Sequence, residues 1–162
     1  MTGAMAIEPA ADFRPAQVLR ISRGFSCLFW SMPLLSAAHA LALGSLWPAR
    51  WTFGLLLACF APLACGLWML HAGAGLTPRW GVRVARISLL ALAAICLCPF
   101  LVWWHLAPTR LYFAANAAAH YVVLVALLAE LNRLAGECAK WLGDAPLRRE
   151  ALAGLGMVLW LS

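Results

Sequence analysis

Four long intervals without a formal charge decide what this chain can be. Between Arg23 and Arg50 lie 26 uncharged residues, between Arg50 and Arg79 28, between Arg86 and Arg110 23, and between Arg110 and Glu130 19. A helix rising about 1.5 Å per residue needs about 20 mostly apolar residues to cross the hydrocarbon of a bilayer. The intervals therefore predict four spans, at about 25–47, 52–73, 87–106 and 111–131. Their apolar residues run continuously rather than alternating, which excludes a transmembrane barrel and leaves an all-α integral membrane bundle.

Composition agrees with that reading. Of the 162 residues, 65% are hydrophobic and 11% charged, against about 45–50% and about 25% in ordinary soluble domains. A domain this small leaves too much surface exposed to hide such an excess from water. A soluble enzyme, a disordered chain and a disulfide-dense secreted scaffold are all excluded on this ground.

The basic residues predict orientation. Arg14, Arg20 and Arg23 precede span one, Arg79, Arg83 and Arg86 join spans two and three, and Arg133, Lys140, Arg148 and Arg149 follow span four. Only Arg50 and Arg110 fall on the other side. Lys/Arg excess marks the cytoplasmic side, so the expected protein is a multi-pass protein of the inner (plasma) membrane with a cytoplasmic N-terminus. The same bias accounts for the net charge of +6. A nucleic-acid partner is not expected, because the charges are spread over three short segments rather than gathered into one patch. Trp47, Trp51, Trp103 and Trp104 fall at the predicted outer boundary, and Trp30, Trp68 and Trp80 toward the inner one, as an interfacial aromatic belt would have them.

The ends are less regular. Residues 1–14 read as a loose cytoplasmic tail, and Pro15 suits the first turn of a short helix. Basic residues followed by an apolar run and Ala38-His39-Ala40 imitate a signal peptide, but the run continues to Leu46 and reads as a retained span. After span four, Leu131, Leu134, Cys138 and Trp141 keep helical spacing, which predicts an amphipathic extension to residue 142 with Gly143 as its C-cap. Asp144 and Pro146 suit the start of a further helix. The segment 143–162 is apolar toward its end, but Ala151–Ser162 reaches only about 18 Å against a core of about 30 Å. It is expected to be a half-span lying against the bundle, or the start of a fifth span in a longer chain.

Residues with chemistry are few. There is no GxSxG, HExxH, P-loop or GxGxxG. No Asp, Glu, Lys or Arg lies in the middle of a span, which removes the usual carboxylate and amine candidates for proton relay or ion coupling. Glu130 sits at the inner end of span four, where an ion pair at the interface is expected. His71 and His105 fall at span boundaries. His39 and His120 do not. His39 lies eight residues in from Trp47 and His120 ten in from Arg110, depths of about 12 and about 15 Å from the same face. Two imidazoles at matched depth on separate helices are what a bis-histidine haem b requires, with Asn116, one turn from His120, placed to orient its ring. The reading expected here is nevertheless a hydrogen-bonded polar contact between helices, such as His39 with Asn116 or a serine, and no cofactor, with haem b as the alternative.

The cysteines Cys59, Cys65, Cys96 and Cys98 are expected as small buried fillers, since residues two apart on a helix point about 200° apart and do not converge on a metal. Pro33, Pro62 and Pro99 each interrupt the hydrogen bonding of one span. Ala114, Ala115, Ala117, Ala118 and Ala119 give span four a smooth surface, and Ala115, Ala118 and Ala119 are candidate interface residues. No internal repeat stands out. The function expected from these features is that of a non-enzymatic integral subunit, embedded in lipid and working through helix–helix contacts with other membrane subunits or with copies of itself. A haem-binding redox anchor and a small channel or transporter are the alternatives.

Overall fold

A computed structural model of the chain describes residues 15–44, 49–73, 79–143, 146 and 149–153. Within them the protein is helical, with no strand, and four helical units are long and apolar enough to cross a membrane. The helices are α1 (Pro15–Gly44), α2 (Ala49–Leu70) followed by a 3-10 turn (His71–Gly73), α3 (Trp80–Leu97), α4 (Pro99–Leu106) and α5 (Leu111–Leu142). Expected spans two and four match α2 with its 3-10 turn and the first two-thirds of α5. Span one begins ten residues early, because the short helix anticipated at Pro15 and the span itself are one continuous element.

Two of the three prolines leave their helices unbroken: Pro33 lies inside α1 and Pro62 inside α2. Pro99 does divide its span. Lacking an N–H, it gives nothing to the carbonyl of Ile95, and the N–H of Cys98 is shared between the carbonyls of Ala94 at 2.9 Å and Ile95 at 3.3 Å. α3 and α4 are thus one span with a break at Cys98.

The bundle is organised around α1 and α2, which form the most extensive pair. They meet backbone to backbone at Gly24 and Gly66, where a Cβ on Gly66 would lie 2.8 Å from the Gly24 carbonyl oxygen. Only a residue without a side chain lets two backbones meet this way in lipid. α2 continues the core to α3, and α3 to α5, while α4 touches α1, α2 and α5. α1 and α5 stand apart: among the described residues their Cα atoms nowhere come within 8 Å, as is also true of α1 with α3 and of α2 with α5.

Trp80 corrects its assignment to the interfacial belt. It is buried, with 1% of its surface exposed, packs edge-on to Phe25 at 6.5 Å, and donates its indole N–H to the Leu70 carbonyl at 2.9 Å. Leu70 ends α2, and the last carbonyls of a helix have no partner within it. The indole supplies one. Trp30, Trp51, Trp68 and Trp103 are exposed, as belt residues would be.

At the other end, α5 closes on Gly143, whose φ of 73° is the left-handed conformation that favours glycine. The helical stretch 149–153 then returns to α5, with the Cβ of Ala151 3.8 Å from where a side chain on Gly136 would begin. The expected N-cap at Asp144, the tail 1–14 and the apolar stretch 154–162 lie outside the described residues.

Candidate functional site

The two mid-span histidines meet. α1 carries His39 and α5 carries His120 to a point where their Nε2 atoms are 2.9 Å apart and their rings lie 5.2 Å apart, inclined by 22°. Both are buried, His39 with 7% of its surface exposed and His120 with none. The opposite ring nitrogens are also engaged. His39 Nδ1 is 2.6 Å from the carbonyl oxygen of Leu35, one turn back on its own helix, and His120 Nδ1 is 3.0 Å from the carbonyl oxygen of Ala94 on α3. The pair bridges the gap between α1 and α5, and His120 holds three helices together.

The Ala94 carbonyl serves two donors. A carbonyl oxygen has two lone pairs, and that of Ala94 holds a shared N–H from Cys98 on one side and the imidazole of His120 on the other. Asn116, expected to orient His120, instead donates its amide to the Tyr112 carbonyl at 2.8 Å. The backbone of α3 takes that orienting role. A backbone carbonyl carries no signature in a sequence, so this partner was not legible there. Tyr121 was also missed, though its ring lies 6.3 Å from His39 and 5.9 Å from His120.

Beside the pair is a recess of about 170 Å³ between α1 and α5. Met32, Leu35 and Ser36 line one wall, Leu124, Leu127 and Leu128 the other, with His39 and Tyr121 at one end. In sequence these positions run from the histidines toward the arginine-bearing end of the bundle. Ala38 and Ala42 on α1 and Ala117 on α5 are buried near the pair in sequence.

The geometry bears on what the pair can hold. Both Nδ1 atoms rest on backbone carbonyls and both Nε2 atoms converge, the arrangement that orients metal-ligating histidines. Two bonds of about 2.0–2.1 Å to a metal ion would set the nitrogens about 3.3 Å apart at a tetrahedral ion and about 4 Å apart if the ion lay in line between the rings. The observed 2.9 Å is shorter than either and is a hydrogen-bonding distance between the two nitrogens. The recess is also smaller than the ~300 Å³ at which small-molecule sites begin. Among the described residues no three His, Cys, Asp or Glu side chains gather as a metal site. Of the four cysteines expected as buried fillers only Cys98 is buried; Cys59 is half-buried and Cys65 and Cys96 are exposed, Cys96 turning outward because it points away from Cys98 on the same helix.

A second polar cluster lies at the basic end. Glu130, at the expected interfacial position, pairs with Arg133 at 2.7 Å. Two arginines of α3 reach the same carboxylate, Arg86 at 3.6 Å and Arg83 at 3.8 Å, and Arg83 also pairs with Glu137 at 2.7 Å. These contacts explain why α3 begins at Trp80 rather than near residue 87. Its first arginines are neutralised by α5 and belong to the helix.

The candidate interface residues lie on the outer side of α5: Ala115 and Ala118 are exposed and Ala119 half-buried. No family model, no curated protein and no solved structure matches this chain.

Proposed function

We propose that the chain is a non-enzymatic integral subunit of the inner membrane, with its N-terminus in the cytoplasm, acting through helix–helix contacts in a larger complex or a homo-oligomer. The carrying observation is the incompletely covered α5. In its most apolar stretch 17% of residues are buried, against 33% in each of the other three spans. Lipid covers large aliphatic side chains as well as protein does, so exposure alone is no argument for a partner. Small residues are different, because they permit the backbone approach that drives helix association in a bilayer. α5 exposes Ala115 and Ala118 in this way, beside Tyr112 and Val122.

Two differently tagged copies, co-expressed and extracted in mild detergent, test the reading. The tags are expected to co-purify, or each to bring down other membrane proteins in fixed ratio, and Ala118→Trp is expected to disrupt that association. A monomer with no companion, unaffected by Ala118→Trp, would overturn the proposal. The redox-anchor alternative is supported by the converging Nε2 atoms alone, and requires the rings to part by about an ångström and admit a macrocycle. A Soret band in the purified protein, lost in His39→Leu and in His120→Leu, would establish it in place of the first reading.

A further inference from the structure

The histidine pair contains more hydrogen bonds than two neutral imidazoles can supply. A carbonyl oxygen only accepts, so the contacts to Leu35 and Ala94 require an N–H on Nδ1 of both rings. A neutral imidazole carries one N–H, so with Nδ1 protonated each Nε2 offers only a lone pair. Those lone pairs face each other at 2.9 Å. Three contacts need three protons, and two neutral rings have two. We propose that the His39–His120 pair is a proton-binding site, taking one proton from water into the space between the two Nε2 atoms.

Without that proton one contact must be given up. One ring changes to the Nε2–H tautomer and loses its backbone carbonyl, or the rings separate. With it, all three hydrogen bonds are made and α1 is tied to α5 across the gap their backbones leave. Water has room on one side of the pair. A site needs roughly 10–15 Å³ for a water molecule and two to four polar partners. The recess exceeds that volume, and Ser36 and Tyr121 line it beside His39. The step is a simple protonation: a hydronium O–H bond breaks as the N–H bond forms, a neutral water molecule is left, and no electron changes hands.

The surroundings leave the charge of this proton to the pair itself. On α5 the nearest titratable group is Tyr121, and Glu130 with Arg133 lies ten or more residues further on, about 15 Å along the helix. α3 presents the Ala94 carbonyl, with the buried thiol of Cys98 one turn beyond. α1 carries Ser36 and, further away, Cys27; α2 contributes Cys59; α4 carries His105, exposed near its end. None of the ion pairs among the described residues includes either ring.

The test is nitrogen NMR of the full chain labelled with ¹⁵N-histidine in lipid bilayers, titrated from about pH 8 to about pH 4. His71 and His105 are exposed and serve as internal references. His39 and His120 are expected to change together in a single step of one proton. In the protonated form both Nδ1 atoms should carry hydrogen and the two Nε2 atoms should show coupling across their hydrogen bond. His39→Gln is expected to remove the coupling and leave His120 to respond alone. Two independent steps, or two neutral rings throughout with one as the Nε2–H tautomer, would overturn the proposal. A metal ion bound stoichiometrically at both Nε2 atoms would overturn it as well. The wild-type measurement decides the matter even if the variant does not accumulate.

Discussion

Glu130 shows how much one residue can organise. Its carboxylate is the meeting point of Arg83, Arg86 and Arg133, and it is buried while two of those arginines are half or more exposed. Hydrogen bonds to charged groups contribute about 1.5–3 kcal/mol where water is excluded, and solvent-exposed pairs less than about 1 kcal/mol. Glu130→Gln is therefore expected to destabilise the bundle by about 1–3 kcal/mol, and Glu137→Gln by less, since Glu137 is partly exposed and pairs with Arg83 alone. Reversible unfolding of the two variants in mixed micelles checks the order. Equal effects would mean that the α3–α5 contacts at this end are dominated by solvent screening.

At the scale of helices, the charge intervals mark where each element crosses but carry nothing about its rotation. That is why the four spans and the common depth of His39 and His120 could be read from the sequence. Axial position needs only a residue count and the rise of a helix. The Ala94 carbonyl, the burial of Trp80 and the Arg83–Glu137 pair depend on which face each helix turns to which neighbour, and hydrophobic residues on every side of a span hide that face. The glycine contact was illegible for the same reason. Gly24 and Gly66 are two of 12 glycines, and nothing in their local sequence distinguishes them. Gly54 provides the control, because a side chain there would meet nothing within 4 Å. Gly66→Ala is expected to force α1 and α2 apart and to cost about 1–3 kcal/mol, while Gly54→Ala, on the same helix, is expected to be neutral or slightly stabilising. Thermal aggregation midpoints of the two variants in one detergent would separate them, and a Gly66→Ala protein as stable as wild type would refute the close approach.

For the molecule as a whole, orientation is the property the fold leaves open and the sequence predicts. Ten basic residues on one side against two on the other predict that the Arg83 end of the bundle faces the cytoplasm. With the six native cysteines replaced, a single cysteine beside Arg50 or Arg110 is expected to react with an impermeant maleimide added to intact cells, and one beside Arg83 only after lysis. The reverse pattern would invert the topology and with it the side from which the histidine recess is approached.

The Gly24–Gly66 contact also sets an order of events during synthesis. It joins two spans that are neighbours in the chain, so the first hairpin can close as soon as the second span has entered the bilayer. At that moment His39 already has the Leu35 carbonyl for one ring nitrogen, while the other waits for a residue 81 positions downstream. The nascent hairpin is therefore a half-finished product with an unmet imidazole contact at mid-span, and it stays so until the last of the four spans is inserted. A chain stalled before His120 would carry that unmet ring as its mark of immaturity, a feature that membrane quality control could read.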